Sequence, residues 1–300
     1  MSRSFIDIND LNRQEIEYIF KLCADMKHGR SAPKPLDGKT VACVFAKPSL
    51  RTRISFEAGI AQLGGQSLYI TDGEIQLGKR ETIHDVAKVL SRFVSLIMIR
   101  TFSHQDVKEL ARHAEVPVIN GLTDDSHPCQ ILGDYFTILE HRPKQKRYTV
   151  AYLGDGNNVA NAWLDLAAII PMDLRIGTSA DTPPMANYVE RAKSNADSKV
   201  SVTSDPQAAV EGADVIYTDV WASMGQKDQT DKKSEQLQKY QVNQSLLAGA
   251  RPDCLVMHCL PAERGREITA EVIDGPHSVV FDEAENRLHI QKAIMAFLLR

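Results

Sequence analysis

No apolar run in this chain is long enough to span a bilayer, and its opening residues, MSRSFIDINDLNRQEI, lack the apolar core of a secretory leader. A cytoplasmic location is the expectation. Cysteine is sparse: Cys23, Cys43, Cys129, Cys254 and Cys259 are odd in number and show no paired spacing. They read as reduced thiols, so neither a disulfide frame nor a zinc site is expected. Neither sign of charge predominates. With 35 basic against 39 acidic residues and a net charge of −4, nothing favours a nucleic-acid or membrane partner. Any anion site must therefore be built locally. Internal repeats and low-complexity runs are also lacking.

What is present is ordinary globular material, 300 residues with 43% hydrophobic, enough for two modest cores. Short β-branched runs alternate with amphipathic stretches. Strands are expected at 39–46, 66–71, 94–101 and 116–121, with helices at 50–63, 83–92 and 107–114 between them. After a helix at 131–142 and a Pro-Lys-rich patch at 143–147, the rhythm restarts. Strands are expected at 148–156, 174–179, 201–205, 214–220, 255–261 and 277–283, with helices at 158–170, at 185–196 and near Ala208. This β-α-β order predicts an α/β fold: two doubly wound parallel-sheet domains joined by bridging helices. The expected limits are 1–142 and 143–300, with a closing helix at 285–299 packing back on the first domain. The polar stretch 225–241 reads as a mobile loop leading into a solvated helix.

The sharpest local signal is Lys47-Pro48-Ser49-Leu50-Arg51-Thr52-Arg53, where a strand gives way to a helix. Ser49 is a natural N-cap, so first-turn N–H groups and the positive helix end face open space. Hydroxyls from Ser49 and Thr52, with a guanidinium fork, suit a small, highly charged anion. Spacing does not admit both arginines: Arg51 faces the turn, whereas Arg53 has a carboxylate partner four residues on in Glu57. The plain alternative is a capped helix with solvated arginines. Arg100 ends an apolar strand, and His127-Pro128-Cys129-Gln130 follows the next strand at the same sheet edge. Taken singly these read as a solvated Arg and a structural His; together they read as an anion pocket.

In the second half, Gly154-Asp155-Gly156-Asn157-Asn158 invites a dinucleotide reading, but Val159 holds the place of the third glycine and no acidic residue closes LRIGTS. Two Asn side chains at a helix start suit a small carboxylate better. Asp219 is either a cap or the partner of an ammonium group, and Ser223-Met224-Gly225 offers backbone donors. Cys259 follows another strand, as a buried small hydrophobe or as a reactive thiol. Arg287 adds one more positive group.

Ser-x-Arg-Thr-Arg at 49–53, His-Pro-x-Gln at 127–130 and His-x-x-Pro at 258–261, in this order across nearly the whole chain, resemble the aspartate/ornithine carbamoyltransferase family. Asp219 with Ser223-Met224-Gly225, and His258-Cys259-Leu260-Pro261, resemble its ornithine branch. The resemblance implies transfer of the carbamoyl group of carbamoyl phosphate to the side-chain amine of L-ornithine, giving citrulline for arginine biosynthesis without metal or organic cofactor. It implies that Ser49, Leu50, Arg51, Thr52, Arg100 and Arg287 serve the phosphate, Leu50 with its side chain turned away. His127, Arg100 and Thr52 would face the carbonyl oxygen, Gln130 the carbamoyl amide, and Gln76 a neighbouring subunit's site in a homotrimer. Asn158, Asp219, Ser223 and Met224 would grip the amino-acid end of ornithine. Cys259 and Leu260 would contact carbamoyl phosphate and line the channel for the amine, with Arg100, His127 and Cys259 as the catalytic set. Two rivals stand beside this reading: a sibling transferase using putrescine or another amine, and a non-catalytic binding module.

Overall fold

The computed structural model describes residues 3–143, 145, 147–221 and 230–300, without the side chains of 230–232. The chain forms two compact units: residues 1–133 with 285–300, and residues 134–284.

In chain order the first unit holds α1 (Arg13–Lys27), β1 (Thr40–Phe45), α2 (Leu50–Gln62), β2 (Gln66–Thr71), α3 (Asp72–Ile75), α4 (Ile83–Phe93), β3 (Leu96–Arg100), α5 (His104–His113), β4 (Val118–Leu122) and the start of α6 (Pro128–His141). Its sheet is parallel, in the order β2-β1-β3-β4. A parallel sheet covered on both faces needs continuous apolar strands, and β3 and β4 are buried at every position. Ala42, Val44, Ile97, Ile99, Val107 and Val118 share one core. The free edge of β4 is covered by the N-terminal segment: Phe5 N–H donates to Val118 O and Asn120 N–H to Phe5 O, both at 2.8 Å. From β1 the chain moves to one edge of the sheet, and from β3 to the other. The C-terminal ends of β1 and β3 therefore form a topological switch point, where open α/β sheets bind ligands.

The second unit continues α6 and adds β5 (Thr149–Leu153), α7 (Asn158–Ala167), β6 (Asp173–Gly177), α8 (Ala186–Lys193), β7 (Lys199–Thr203), α9 (Pro206–Val210), β8 (Val215–Thr218), α10 (Thr230–Leu237), α11 (Gln244–Leu247), β9 (Leu255–His258), α12 (Ala270–Ile273) and the start of α13 (Val280–Leu298). Its parallel sheet runs β7-β6-β5-β8-β9, so its own switch point lies between β5 and β8. Tyr217 on β8 stacks on Tyr152 at 5.9 Å and meets Trp163 of α7 edge-on at 5.5 Å. From Glu285 onward α13 belongs to the first unit, where Lys292 Nζ donates to Gln62 Oε1 at 2.8 Å.

The two-sheet architecture matches the sequence reading, but individual stretches differ. The expected strand at 277–283 is absent: Ser278 makes a single bridge to Val256, and α13 begins at Val280. Asp282 and Glu283 in the first turn favour a helix start over the strand propensity of Val279-Val280. The helix at 107–114 begins earlier, at His104, because Ser103 Oγ accepts from Asp106 N–H at 3.1 Å and caps it. Of the expected mobile loop, 225–229 lie outside the described residues; beyond it α10 ends on buried Leu237, and the hydroxyl of buried Tyr240 in the following turn donates to Thr178 O at 2.6 Å.

Among the described residues, no helix is long and apolar enough to cross a membrane.

Candidate functional site

In the first unit the site residues gather at the C-terminal ends of β1 and β3. Ser49 is extended (φ −164°), its side chain accepts from Thr52 N–H at 3.3 Å, and α2 starts at Leu50. Such a cap is worth about 1 kcal/mol and leaves other first-turn N–H groups aimed beyond the helix. Phe45 pairs in register with Arg100, whose carbonyl accepts from Ala46 N–H at 2.9 Å. Sheet pairing thus carries Arg100 beside the Ser49 turn. The Thr52 hydroxyl receives two guanidinium groups, Arg100 Nη1 at 3.3 Å and Arg287 Nη2 at 2.7 Å. Arg100 is 5% and Arg287 3% exposed. Two buried positive charges on one neutral oxygen repel each other, and an anion with several oxygens relieves that repulsion.

His127, directly before α6, is buried. Burial first, then the charges of Arg287, Arg100 and Lys47, hold its imidazole well below the usual pKa. A neutral ring keeps one N–H donor for a developing negative charge. Among the described residues its buried Nδ1 has no hydrogen-bond partner. Gln130 is buried in the first turn of α6. Arg53 is occupied elsewhere: it bonds Glu57 Oε1 at 2.9 Å and covers the Tyr69 ring at 3.9 Å. Arg51 is half-buried, and Leu50 is 71% exposed. Gln76 is exposed and ends α3 in a left-handed conformation (φ 40°).

In the second unit the residues gather where β5, β8 and β9 end. Asn157 caps α7, accepting from Val159 N–H at 2.9 Å and Ala160 N–H at 3.3 Å. Its Nδ2 donates to Asp219 Oδ2 at 2.8 Å, while Asp219 Oδ1 accepts from Cys259 Sγ at 2.9 Å and Val220 N–H at 2.8 Å. Burial, and then the Asp219 carboxylate, push the Cys259 thiol well above its ordinary pKa. Cys259 is therefore a thiol donor, not a thiolate. Asn158 is buried in the first turn of α7; Ser223 and Met224 lie outside the described residues.

Cys259 and Leu260 are held by the residue before them. His258 Nδ1 accepts from Leu260 N–H at 2.9 Å, and Nε2 faces Glu267 Oε1 at 3.0 Å. His258 N–H donates to Glu283 Oε2 at 2.9 Å. Burial, and then Asp134, push the Glu283 carboxyl well up, and Tyr217 O–H donates to Asp134 Oδ2 at 2.8 Å. The two acids share a proton rather than both ionising. Leu260 sits at φ 54°, a strained conformation for a branched side chain that this support sustains.

Asp219, His258 and Cys259 place ligand atoms within 4.8 Å of one another. Both His258 nitrogens already face partners, so the imidazole has no lone pair aimed at a shared ion. This donor set does not read as a metal centre.

Sequence reasoning set Asn157 and Asn158 together against a small carboxylate and gave Lys47 and His258 no role of their own. Asn157 both caps α7 and holds Asp219. Buried Lys47 binds Asp124 Oδ1 at 2.8 Å. The available signal for Lys47 was a lysine between strand and helix.

Two family models match the chain. The carbamoyl-P binding domain of aspartate/ornithine carbamoyltransferase matches residues 3–140, and the Asp/Orn binding domain matches residues 146–298. The chain is 48% identical over 302 residues to an ornithine carbamoyltransferase of Syntrophus aciditrophicus, covering 100% of both. It is 50% identical over 303 residues to that of Geobacillus stearothermophilus, covering 99% of this chain and 97% of the relative. The solved ornithine carbamoyltransferase of Pyrococcus furiosus superimposes with a TM-score of 0.95 at 45% identity, covering 99% of this chain and 96% of the other.

Proposed function

The chain belongs to the aspartate/ornithine carbamoyltransferase family, and we propose that it transfers the carbamoyl group of carbamoyl phosphate to the side-chain amine of L-ornithine, giving L-citrulline and phosphate. The observation that carries the reading is the pair of buried guanidiniums, Arg100 and Arg287, on the hydroxyl of Thr52 beside a neutral His127. That is a cradle for a dianionic leaving group next to a donor for a carbonyl oxygen.

In this reading Ser49, the backbone of Leu50, Arg51, Thr52, Arg100 and Arg287 hold the phosphate, His127 faces the carbonyl oxygen, and Gln130 takes the amide. Cys259 and Leu260 border the reacting carbon, while Asn158, Asp219, Ser223 and Met224 hold ornithine. Among the described residues Asp219 accepts three hydrogen bonds; a carboxylate has about four lone-pair sites, so one more donor, the ornithine α-ammonium, fits.

The side-chain ammonium has a pKa of ~10 and must first lose a proton to solvent. The neutral nitrogen then attacks the carbonyl carbon, and the oxygen's charge rests against Arg100 and His127. The C–O bond to phosphate breaks, and the departing phosphate takes the second proton from nitrogen. A thiol held above its usual pKa donates to Asp219 and does not serve as the base.

Residues 1–142, with the closing helix at 285–299 packed back on them, would then bind carbamoyl phosphate and the rest of 143–300 ornithine, as the descriptions of the two matching family models support. The same reading places the protein in the cytoplasm, serving arginine synthesis, as a homotrimer to which Gln76 contributes across subunits. Exposed Gln76, together with the exposed apolar side chains of Leu50, Ile54, Leu68 and Phe93 in the first unit, supports assembly. Assays with ornithine, putrescine and aspartate side by side test the acceptor. Ornithine should give the highest kcat/KM, and a higher value with another amine would move the assignment.

A further inference from the structure

We propose that His104 is a positioning residue for His127, acting through Thr123; the proposal rests on the carbamoyl-transfer reading for the role of His127. His104 opens α5 and is 5% exposed. Its Nε2 lies 3.1 Å from Asp7 Oδ2 and its Nδ1 lies 2.9 Å from Thr123 Oγ1. The Asp7 carboxylate only accepts, so Nε2 carries a proton, and the tautomer this contact selects leaves Nδ1 as an acceptor. Thr123 therefore donates its hydroxyl to His104 and turns its oxygen lone pairs elsewhere. One of them meets Ser126 N–H at 3.3 Å, and Thr123 N–H closes on Ser126 O at 3.0 Å. The residue after this closed turn is His127.

The Thr123 hydroxyl has a second acceptor within reach, Ser126 O at 3.4 Å. His104 decides between them, because the shorter contact wins while Nδ1 is available. Without Nδ1 the hydroxyl swings onto Ser126 O, its lone pair leaves Ser126 N–H, and the turn before His127 relaxes. Asp124 ties the turn elsewhere, its N–H to Phe102 O at 2.9 Å and its Oδ1 to Lys47 Nζ at 2.8 Å. Hydroxyl, imidazole and carboxylate stand in the order of a nucleophilic triad, but Thr123 is 0% exposed and no substrate reaches it. The line sets geometry; it does no chemistry.

Two isosteric variants separate the nitrogens. His104→Asn keeps a polar atom near the Nδ1 position and loses Asp7; His104→Gln keeps one near Nε2 and loses Thr123. A misplacement of about 1 Å at a reacting centre lowers rate about 100-fold, so a partial relaxation should lower kcat by about tenfold. His104→Gln is expected to show that loss with KM for ornithine within about twofold, His104→Asn a smaller one, and Thr123→Val the same loss as His104→Gln. The double variant His104→Gln/Thr123→Val should lose no more than either single change, as expected for one shared path. Nitrogen NMR of the His127 ring, compared at equal folded fraction, should shift in His104→Gln and in Thr123→Val. A His104→Gln protein with wild-type kcat and an unshifted His127, or losses that multiply in the double variant, would overturn the proposal. Absence of citrulline formation by the unaltered protein would instead overturn the carbamoyl-transfer reading, leaving the NMR arm to decide whether His104 positions His127.

Discussion

Arg287 Nη2 sits 2.7 Å from Thr52 Oγ1, joining residues 235 positions apart at the start of α2 and within α13. A buried charge-assisted hydrogen bond contributes about 1.5–3 kcal/mol, which is roughly 10- to 150-fold in affinity. Arg287→Gln should raise KM for carbamoyl phosphate by about that range and move KM for ornithine far less, read by steady-state kinetics with each substrate varied. An unchanged carbamoyl phosphate KM would remove Arg287 from the anion cradle.

His127 supplies a pH signature of stability. Its folded pKa is depressed, so below about pH 6.5 the unfolded chain binds a proton that the folded one refuses. The contribution is fully present above pH 6.5 and declines as pH falls toward the folded value, by about 1.4 kcal/mol per unit. Urea unfolding between pH 6.5 and 5 should be shallower in pH dependence for His127→Asn by about that slope. Equal slopes would mean that His127 titrates normally in the folded protein.

Cys259 should behave as an unreactive thiol. The Asp219 carboxylate disfavours its ionisation, so Asp219→Asn should speed its alkylation by iodoacetamide at pH 8. The other four cysteines are buried, which lets mass spectrometry follow Cys259 under native conditions. A rate unaffected by Asp219→Asn would show that burial alone governs the thiol.

Glu283 is held up in pKa beside Asp134 while accepting from His258 N–H. Glu283→Gln copies the protonated form and should change stability by less than about 1 kcal/mol, whereas Glu283→Ala strands buried partners and should cost about 2–4 kcal/mol. Thermal unfolding of both variants checks the ranking. A Gln variant as unstable as the Ala variant would show that the negative charge, not the hydrogen bonds, is required.

Most strands among the described residues were legible because they are short apolar runs bounded by turn residues, as a doubly buried parallel sheet requires. The stretch 277–283 misled because Val279-Val280 carries strand propensity, and the acidic first turn of α13 outweighs it. α1 drew no reading, although Asn12 and Glu15 form a capping box that marks its start. At the anion cluster, Ser49, Thr52 and Arg100 could be anticipated from strand ends on one edge, since parallel order fixes which ends are neighbours. Contacts set by distant pairing could not. His104 meets Asp7 across 97 positions, and a lone histidine in a helix start gives no hint of that line. Leu260 likewise looks ordinary in sequence, and its positive φ appears only with the His258 hydrogen bond that holds it.

Carbon-13 NMR of the purified protein with labelled carbamoyl phosphate and L-ornithine tests the central claim most directly. Label should appear in the ureido carbon of citrulline, one equivalent per phosphate released and saturating in both substrates. Phosphate release with label only in carbonate or cyanate, at every ornithine concentration, would contradict it.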